Sequence, residues 1–94
     1  MYVIRETFTA KPGMASKLAR LFSEVVALQG GVKTRVLTDL VGPFNTVVME
    51  TEVDDLREFD QRMKDHASRP DIGERLKGYT DLYLTGRREI YRVM

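Results

Sequence analysis

The sequence predicts an α+β fold in which two helices cover one face of a four-stranded antiparallel sheet. Three observations lead to this prediction. The 94 residues suffice for a single domain, residues 1–94, and not for two. Four segments have the alternation and β-branched content of strands, and two have helical periodicity. The segments follow in the order strand, helix, strand, strand, helix, strand, which is typical of split β-α-β folds.

The first third of the chain supplies a strand and a helix. Residues 1–9 are rich in β-branched and aromatic side chains. Pro12 ends this strand because proline lacks the backbone donor that a sheet requires. Apolar side chains then recur at three- and four-residue steps over residues 14–29, which predicts an amphipathic helix. Gly30 and Gly31 end the helix, since glycine takes the left-handed conformation that closes a helix C-terminus.

A hairpin is predicted next. Residues 32–40 and residues 46–53 both alternate as strands do. Residues 41–45 between them contain glycine, proline and asparagine, which favour a turn. The two strands are therefore expected to pair antiparallel.

The last third of the chain supplies a second helix and a final strand. Asp54 or Asp55 is expected to cap this helix, because the positive end of the helix dipole favours an acid. Its buried stripe is marked by Leu56, Phe59 and Met63. Pro70 interrupts it, one or two further helical turns follow over residues 71–77, and residues 81–93 form the final strand.

Both faces of the predicted sheet carry large apolar side chains. Ile4 and Phe8 alternate with Val3 on the first strand, and Ile90 alternates with Tyr91 on the last. Leaving such side chains in water would forgo about 1.5–3 kcal/mol each. In the ferredoxin-like β-α-β-β-α-β topology the helices cover one face only. We therefore expect a second copy of the chain to cover the other face in a two-fold homodimer.

Composition argues against several classes of function. The formal net charge is +1 and no basic stripe is interleaved with aromatic residues, so nucleic-acid binding is not expected. The chain has no cysteine and one histidine, which disfavours disulfides, thiolate catalysis and zinc sites. No apolar run approaches the roughly 20 residues that span a bilayer. The strand pattern starts at Met1, so no signal peptide is expected. We expect a cytoplasmic protein with no membrane partner, bound metal or cofactor.

Two short segments resemble dimeric α/β-barrel proteins. Residues 7–13, with the sequence TFTAKPG, resemble a strand end followed by the KPG start of a helix, and residues 47–59 resemble the third strand running into the second helix. In layout the chain is similar to NIPSNAP-like and antibiotic-biosynthesis-monooxygenase-like proteins. The resemblance implies that two sheets close into a barrel across a dimer, with a cavity beside each sheet or at the barrel mouth. Members include cofactor-free oxygenases, haem-degrading enzymes, and small isomerases and decarboxylases, so the fold does not fix the function.

The chain departs from the oxygenase branches of these families at two positions. Those branches resemble each other in using a tryptophan on the third strand, whereas this chain has no tryptophan and carries Thr51 or Glu52 near that position. Haem degraders also use a histidine on the second helix, and His66 lies about one turn later. Both departures argue against an oxygenase function.

His66 is the first catalytic candidate. Its imidazole is the only side chain in this sequence whose ordinary pKa lies near neutrality, which suits it to proton transfer. The alternative is a histidine near a helix C-terminus that is favoured only by the helix dipole.

Charged and phenolic groups in the strands form a second set of candidates. Glu50 is a catalytic candidate that could exchange a proton, while Arg5 and Arg35 are substrate-binding candidates that could hold a carboxylate or enolate. The alternative is an ion pair that only fixes the geometry of the dimer. Tyr83 is a further substrate-binding candidate because a phenol can orient a carbonyl, although such a ring more often packs in the core. Glu6 is a weaker candidate on the opposite parity.

Two functions of different classes fit these residues. The first is a homodimer that binds or transforms a small apolar or aromatic carbonyl or acid compound in a barrel cavity, without a bound cofactor, in the manner of a cofactor-independent monooxygenase or an isomerase. The second is a non-catalytic dimerisation or scaffold module. The first function requires the charged candidates of the strands to share one open cavity with His66.

Overall fold

The computed structural model describes residues 1–30 and 33–94. The elements in chain order are β1 (Tyr2–Ala10), α1 (Ala15–Leu28), β2 (Thr34–Thr38), β3 (Thr46–Val53), α2 (Leu56–Ser68), α3 (Pro70–Arg75), a 3-10 turn (Tyr79–Leu82) and β4 (Tyr83–Arg92). The predicted α+β order is confirmed. Gly31 and Val32, placed above at a helix end and a strand start, lie outside the described residues. In the described part of the chain, no helix is both long and apolar enough to cross a membrane.

The four strands form one antiparallel sheet in the order β2-β3-β1-β4, which is the ferredoxin-like topology. β1 lies in the centre, with Tyr2 opposite Val53 of β3 and opposite Arg92 of β4. β2 pairs with β3 as a hairpin. Because side chains alternate along a strand, residues that stand opposite each other point to the same face.

The core forms between the sheet and α1. Leu18, Phe22 and Val25 are the buried residues of this helix, and their spacing of four and three places them on one side of it. Leu18 and Phe22 pack on Ala10 of β1 and Val47 of β3, which are both fully buried. Full burial of each large aliphatic side chain contributes about 1.5–3 kcal/mol.

Two strand boundaries differ from the sequence-based expectation. β2 covers five residues, Thr34–Thr38, rather than residues 32–40. Asp39 closes the hairpin instead, because its Oδ1 accepts a hydrogen bond of 2.9 Å from the Thr46 amide. The final strand begins at Tyr83 rather than at position 81, because a 3-10 turn follows the left-handed Gly78.

The second long helix, α2, stands away from the sheet. Its cap is Asp55, whose side chain accepts a hydrogen bond of 2.9 Å from the Arg57 amide, as predicted for position 54 or 55. The prediction that Leu56, Phe59 and Met63 form a buried stripe on α2 is wrong. All residues of α2 are described and none is buried: Phe59 and Met63 are half-buried, and Leu56 is 39% exposed. The reason is that α2 leaves a cavity beneath it rather than packing onto the strands.

The other face of the sheet is uncovered in a single chain. It carries apolar side chains on all four strands, among them Val3, Leu37, Val48 and Tyr91. Leu37 and Tyr91 are 37% and 44% exposed. The prediction that both faces carry apolar groups, while helices cover only one, is therefore confirmed.

Candidate functional site

A cavity that is partly open to solvent lies between the sheet and the helices α1 and α2. Its volume is about 200 Å³. Most of its wall is aromatic or aliphatic and includes Phe8, Phe22, Val25, Met49, Phe59 and Met63. A cavity of roughly 150 Å³ is enough to bind benzene, whereas drug-sized ligands occupy sites of roughly 300–1,000 Å³. This cavity therefore has the size for one ring with a small substituent.

Polar side chains from five elements reach the same cavity. They are Glu6 of β1, Gln29 after α1, Thr34 and Thr51 of β2 and β3, Arg62 and His66 of α2, and Arg88 of β4. Arg62 and His66 are four residues apart, so they lie on one side of their helix. Thr51 is only 7% exposed, and its hydroxyl is satisfied by the Thr34 hydroxyl at 3.0 Å.

His66 is joined to the end of α1 by a hydrogen bond between its Nε2 and the Gln29 amide nitrogen. Because an amide NH₂ only donates, this contact leaves Nε2 without a proton. Burial lowers the pKa of His66, and the positive charge of Arg62 lowers it further, while Glu6 opposes both effects. The imidazole is therefore neutral near pH 7, with its proton on Nδ1, and it can accept a proton at Nε2 when the Gln29 amide moves off that atom.

An ion pair forms another side of the cavity. Glu6 of β1 stands opposite Arg88 of β4, and Arg88 Nη2 donates to Glu6 Oε2 at 3.0 Å. The same guanidinium lies over the ring of Phe59, with its carbon 5.1 Å from the ring centroid. This cation–π contact connects α2 to the edge strand and holds the helix above the cavity.

Arg5, Arg35 and Glu50 lie together on the opposite, uncovered face of the sheet. The Nη2 atoms of both arginines approach the Glu50 carboxylate to 2.8 Å. Hydrogen bonds from Arg35, supported by those from Arg5, hold the pKa of Glu50 below its usual range against the effect of burial. Glu89 of β4 stands opposite Arg5, so the charges alternate across all four strands. A carboxylate held by two guanidinium groups is a weak base.

Tyr83 belongs to an aromatic cluster rather than to the cavity lining. Its ring centroid lies 5.0 Å from that of Phe8 and 5.8 Å from that of Tyr79. Tyr79 reaches the cavity instead. Burial raises the pKa of Tyr79, so its hydroxyl stays protonated and can donate a hydrogen bond.

The sheet separates the sequence-predicted site residues into two groups. Glu50, Arg5 and Arg35 line a shallow groove on the uncovered face, and His66 lines the cavity on the helix side. In the part of the chain that the structure describes, no pocket joins these four residues. The condition stated above for the first function, one cavity shared by all four residues, is therefore not met, and a site on the helix side of the sheet can use only His66 of this set. No cluster of three or more metal-ligating side chains occurs among the described residues either.

Two cavity residues that bear on the chemistry were not identified from the sequence: Gln29 and Arg62. The spacing of four between Arg62 and His66 was an available signal, since it places both on one side of a helix. Gln29 gave no such signal, because its position depends on how the end of α1 packs in three dimensions.

Comparisons with known proteins agree on the fold. No protein-family model and no curated protein sequence matches this chain. Among solved structures, a NIPSNAP family protein from Agrobacterium tumefaciens has a TM-score of 0.83 at 12% identity, covering 99% of this chain and 92% of its own. A NIPSNAP-like domain protein from Burkholderia xenovorans has a TM-score of 0.82 at 22% identity, covering 99% of this chain and 84% of its own.

A second group of solved structures is similar as well. An antibiotic biosynthesis monooxygenase has a TM-score of 0.74 at 14% identity, covering 100% of this chain and 99% of its own. At these identities the likeness establishes the fold, and function needs its own argument. This chain therefore has the ferredoxin-like fold shared by NIPSNAP family and antibiotic-biosynthesis-monooxygenase-like proteins, as the sequence resemblance implied.

Proposed function

We propose that this protein binds a small aromatic or apolar compound bearing a carbonyl or acid group in the cavity beneath α2, and that His66 exchanges a proton with it. One observation carries the proposal: a partly open cavity of about 200 Å³ has mainly apolar walls and a neutral imidazole at its edge. A ligand that fits between such walls gains dispersion contacts with the side chains on either side of it.

The volume limits the class of ligand. Compounds with one aromatic ring, or a short branched chain, match about 200 Å³. A haem macrocycle or a polycyclic polyketide is too large for it. The oxygenase activities that the sequence resemblance implied therefore do not fit this cavity, and the missing tryptophan on β3 points the same way.

Proton transfer is the chemistry that the cavity residues support by themselves. Once the Gln29 amide has moved off Nε2, the neutral imidazole can take a proton there from a carbon next to a carbonyl and return it at another atom, as in a tautomerisation. No electrons leave the compound in this step, so it requires no oxidant. A positioned base of this kind accelerates a reaction by about 10²–10⁴-fold.

Binding is tested by NMR titration of ¹⁵N-labelled protein with benzyl alcohol and with phenylpyruvate. We expect the largest amide shifts around the cavity. Val26→Phe puts a ring into the cavity and is expected to remove binding. Val41→Phe is the matched control, because Val41 is 95% exposed and does not line the cavity. A wild-type protein that shows no cavity shifts with either probe contradicts the proposal.

The uncovered sheet face supports a proposal about the partner, namely a second copy of the chain packed face to face. Leu37, Tyr91 and Val93 expose apolar surface on this side of the sheet. Four charged residues cross the same face in one row from β2 to β4: Arg35, Glu50, Arg5 and Glu89.

The order of charges in this row makes it complementary to itself. In a two-fold dimer, if residue i of one copy contacts residue j of the other, then j also contacts i. A two-fold axis parallel to the strands reverses the row, so that Arg35 faces the partner's Glu89 and Glu50 faces the partner's Arg5. A two-fold axis that runs along the row would instead place like charges opposite each other. The row therefore favours the first arrangement.

The dimer is tested by native mass spectrometry at micromolar concentration. We expect a dimer for the wild type, and an added stoichiometric mass would also identify a co-purified ligand. Glu50→Arg should weaken the dimer, whereas Glu74→Arg, on the exposed surface of α3, should not. A wild-type monomer contradicts the proposal. A bare dimer that binds no small molecule supports the alternative function of a dimerisation or scaffold module.

A further inference from the structure

Arg62 differs from the other arginines in how its charge is satisfied. Seven arginines form ion pairs, namely Arg5, Arg35, Arg57, Arg69, Arg75, Arg87 and Arg88. Arg20 and Arg92 are exposed to water. Arg62 is half-buried, and within residues 1–30 and 33–94 its guanidinium has no ion pair and no hydrogen bond. Its charge is thus partly removed from water without a protein partner.

Burial has the largest effect on the charge of Arg62. Desolvation lowers the pKa of Arg62, and the charge of Glu58, one turn earlier on α2, offsets this only in part. The Glu58 side chain is exposed and makes no ion pair with Arg62 among the described residues. An anion placed beside Arg62 would therefore meet a guanidinium whose five donors bind no acceptor among the residues that the structure describes.

Arg62 stands at the mouth of the cavity. Gln29, Arg62 and His66 line both the cavity and the more open groove outside it, which runs between the end of α1 and α2. A molecule that enters from solvent along this groove passes these three side chains. Its apolar part can then reach Phe22 and Met49 inside, while a polar head stays at the mouth.

We propose that Arg62 is the anion anchor of this cavity, and that its ligand is a small aromatic monocarboxylate. This inference rests on the proposed function and narrows it from carbonyl or acid compounds to acids. The guanidinium binds a carboxylate through two parallel N–H···O bonds, which fixes both position and orientation. The ring lies among the apolar side chains, and the carboxylate lies beside Gln29 and His66.

The test compares two probes of similar size, benzoate and benzyl alcohol, by NMR titration of the full chain. Wild-type protein should bind benzoate about tenfold more tightly than benzyl alcohol. This ratio lies near the low end of what a hydrogen bond to a charged group contributes to affinity. Arg62→Met should remove this preference and keep the affinity for benzyl alcohol. Arg62→Lys keeps the charge but not the paired donors of the guanidinium. Its preference for benzoate should therefore lie between those of the wild type and Arg62→Met. Arg20→Met is the matched control, because Arg20 is exposed on α1 and outside the cavity.

The outcomes separate this inference from the function on which it rests. Equal affinity for the two probes in the wild type, or an unchanged preference in Arg62→Met, overturns the anchor and leaves the apolar binding site in place. Absence of binding for both probes in the wild type overturns both proposals. Circular dichroism of each variant verifies that a lost preference does not come from a lost fold.

Discussion

Gln29 at the end of α1 is hydrogen-bonded to His66 near the end of α2, so one side-chain contact joins the two helices at the mouth of the cavity. With the amide NH₂ facing the ring, as in this structure, the contact needs a neutral imidazole, because a protonated ring has no acceptor. Burial and the charge of Arg62 both favour that neutral form. A protonated ring would require the amide to turn its oxygen towards Nε2.

The first prediction concerns the titration of His66. The chain has one histidine, so its Hε1 proton is unambiguous in a ¹H NMR spectrum. We expect a midpoint below the ordinary value of 6.5, since burial disfavours the charged ring. The folded state then favours the neutral ring, so its contribution to stability is complete above 6.5 and is lost as the pH falls through the lower, folded-state pKa. A midpoint at or above 6.5 contradicts this.

Two substitutions should move the His66 midpoint in opposite directions. Arg62→Met removes a positive charge that lowers the pKa, so the midpoint should rise. Glu6→Gln removes a negative charge that raises the pKa, so the midpoint should fall. The same ¹H NMR titration measures both shifts. If both variants move the midpoint in the same direction, the charges near His66 are arranged differently from the structure.

The second prediction is that His66→Ala leaves the fold nearly unchanged and removes proton exchange with a ligand. His66 is only half-buried, so its loss leaves no large core cavity. Phenylpyruvate in D₂O exchanges its methylene protons through the enolate, and ¹H NMR follows the loss of their signal. Wild-type protein should accelerate this exchange by at least about tenfold, below the usual effect of a positioned base. An equal rate with His66→Ala would assign the acceleration to another group.

The topology could be predicted from the sequence because local signals agree along the chain. The alternation over residues 46–53 gives β3 its observed bounds, and the acid at Asp55 marks the observed start of α2. Gly30, predicted to end α1, takes the left-handed conformation. These signals depend on a few neighbouring residues, so the rest of the fold does not alter them.

The site was less predictable because it depends on distances across the fold. The sequence grouped Arg5, Arg35 and Glu50 only as charges within strands; the pairing register is what places them on one face, and parity could not show that His66 lies on the other side of the sheet. The cavity itself arises because α2 stands away from the strands, although Phe59 and Met63 have the spacing of a packed helix. Periodicity predicts which side of a helix is apolar and not how closely that side approaches its neighbour.

The third prediction concerns the ion pairs of Glu50. Glu50→Gln leaves Arg5 and Arg35 without their carboxylate and should lower the free energy of unfolding by about 1 kcal/mol, a value limited by the exposure of both arginines. The pKa of Glu50 is lowered in the folded state, so its contribution is complete at neutral pH and is lost as the pH falls below the usual range of a glutamate.

Urea denaturation at pH 7 and at acid pH measures this contribution. The difference between wild type and Glu50→Gln should shrink at the lower pH. Glu52→Gln is the control, because Glu52 lies on the same strand and face and is exposed. If the loss of unfolding free energy is equal at both pH values, or equal for Glu50→Gln and Glu52→Gln, the electrostatic explanation is wrong.

The last prediction concerns Gly86, whose lack of a side chain leaves room for the Phe8 ring of the aromatic cluster. Gly86 stands opposite Phe8, and a Cβ at this position would lie 3.0 Å from two atoms of the Phe8 ring. That ring is held by Phe22, with centroids 5.0 Å apart, so it has little freedom to move away. Gly86→Val should therefore lower the free energy of unfolding by about 1–3 kcal/mol, the usual cost of overpacking.

A glycine on α3 provides the control for this effect. A Cβ at Gly73 would meet no atom within 4 Å, and Gly73→Ala should be neutral or slightly stabilising because alanine favours the helix. Gly86→Val should also change ligand affinity, because the Phe8 ring that it displaces lines the cavity beneath α2. If Gly86→Val keeps wild-type stability in urea denaturation, the Phe8 ring can take another position. The cavity wall on that side is then adaptable rather than fixed.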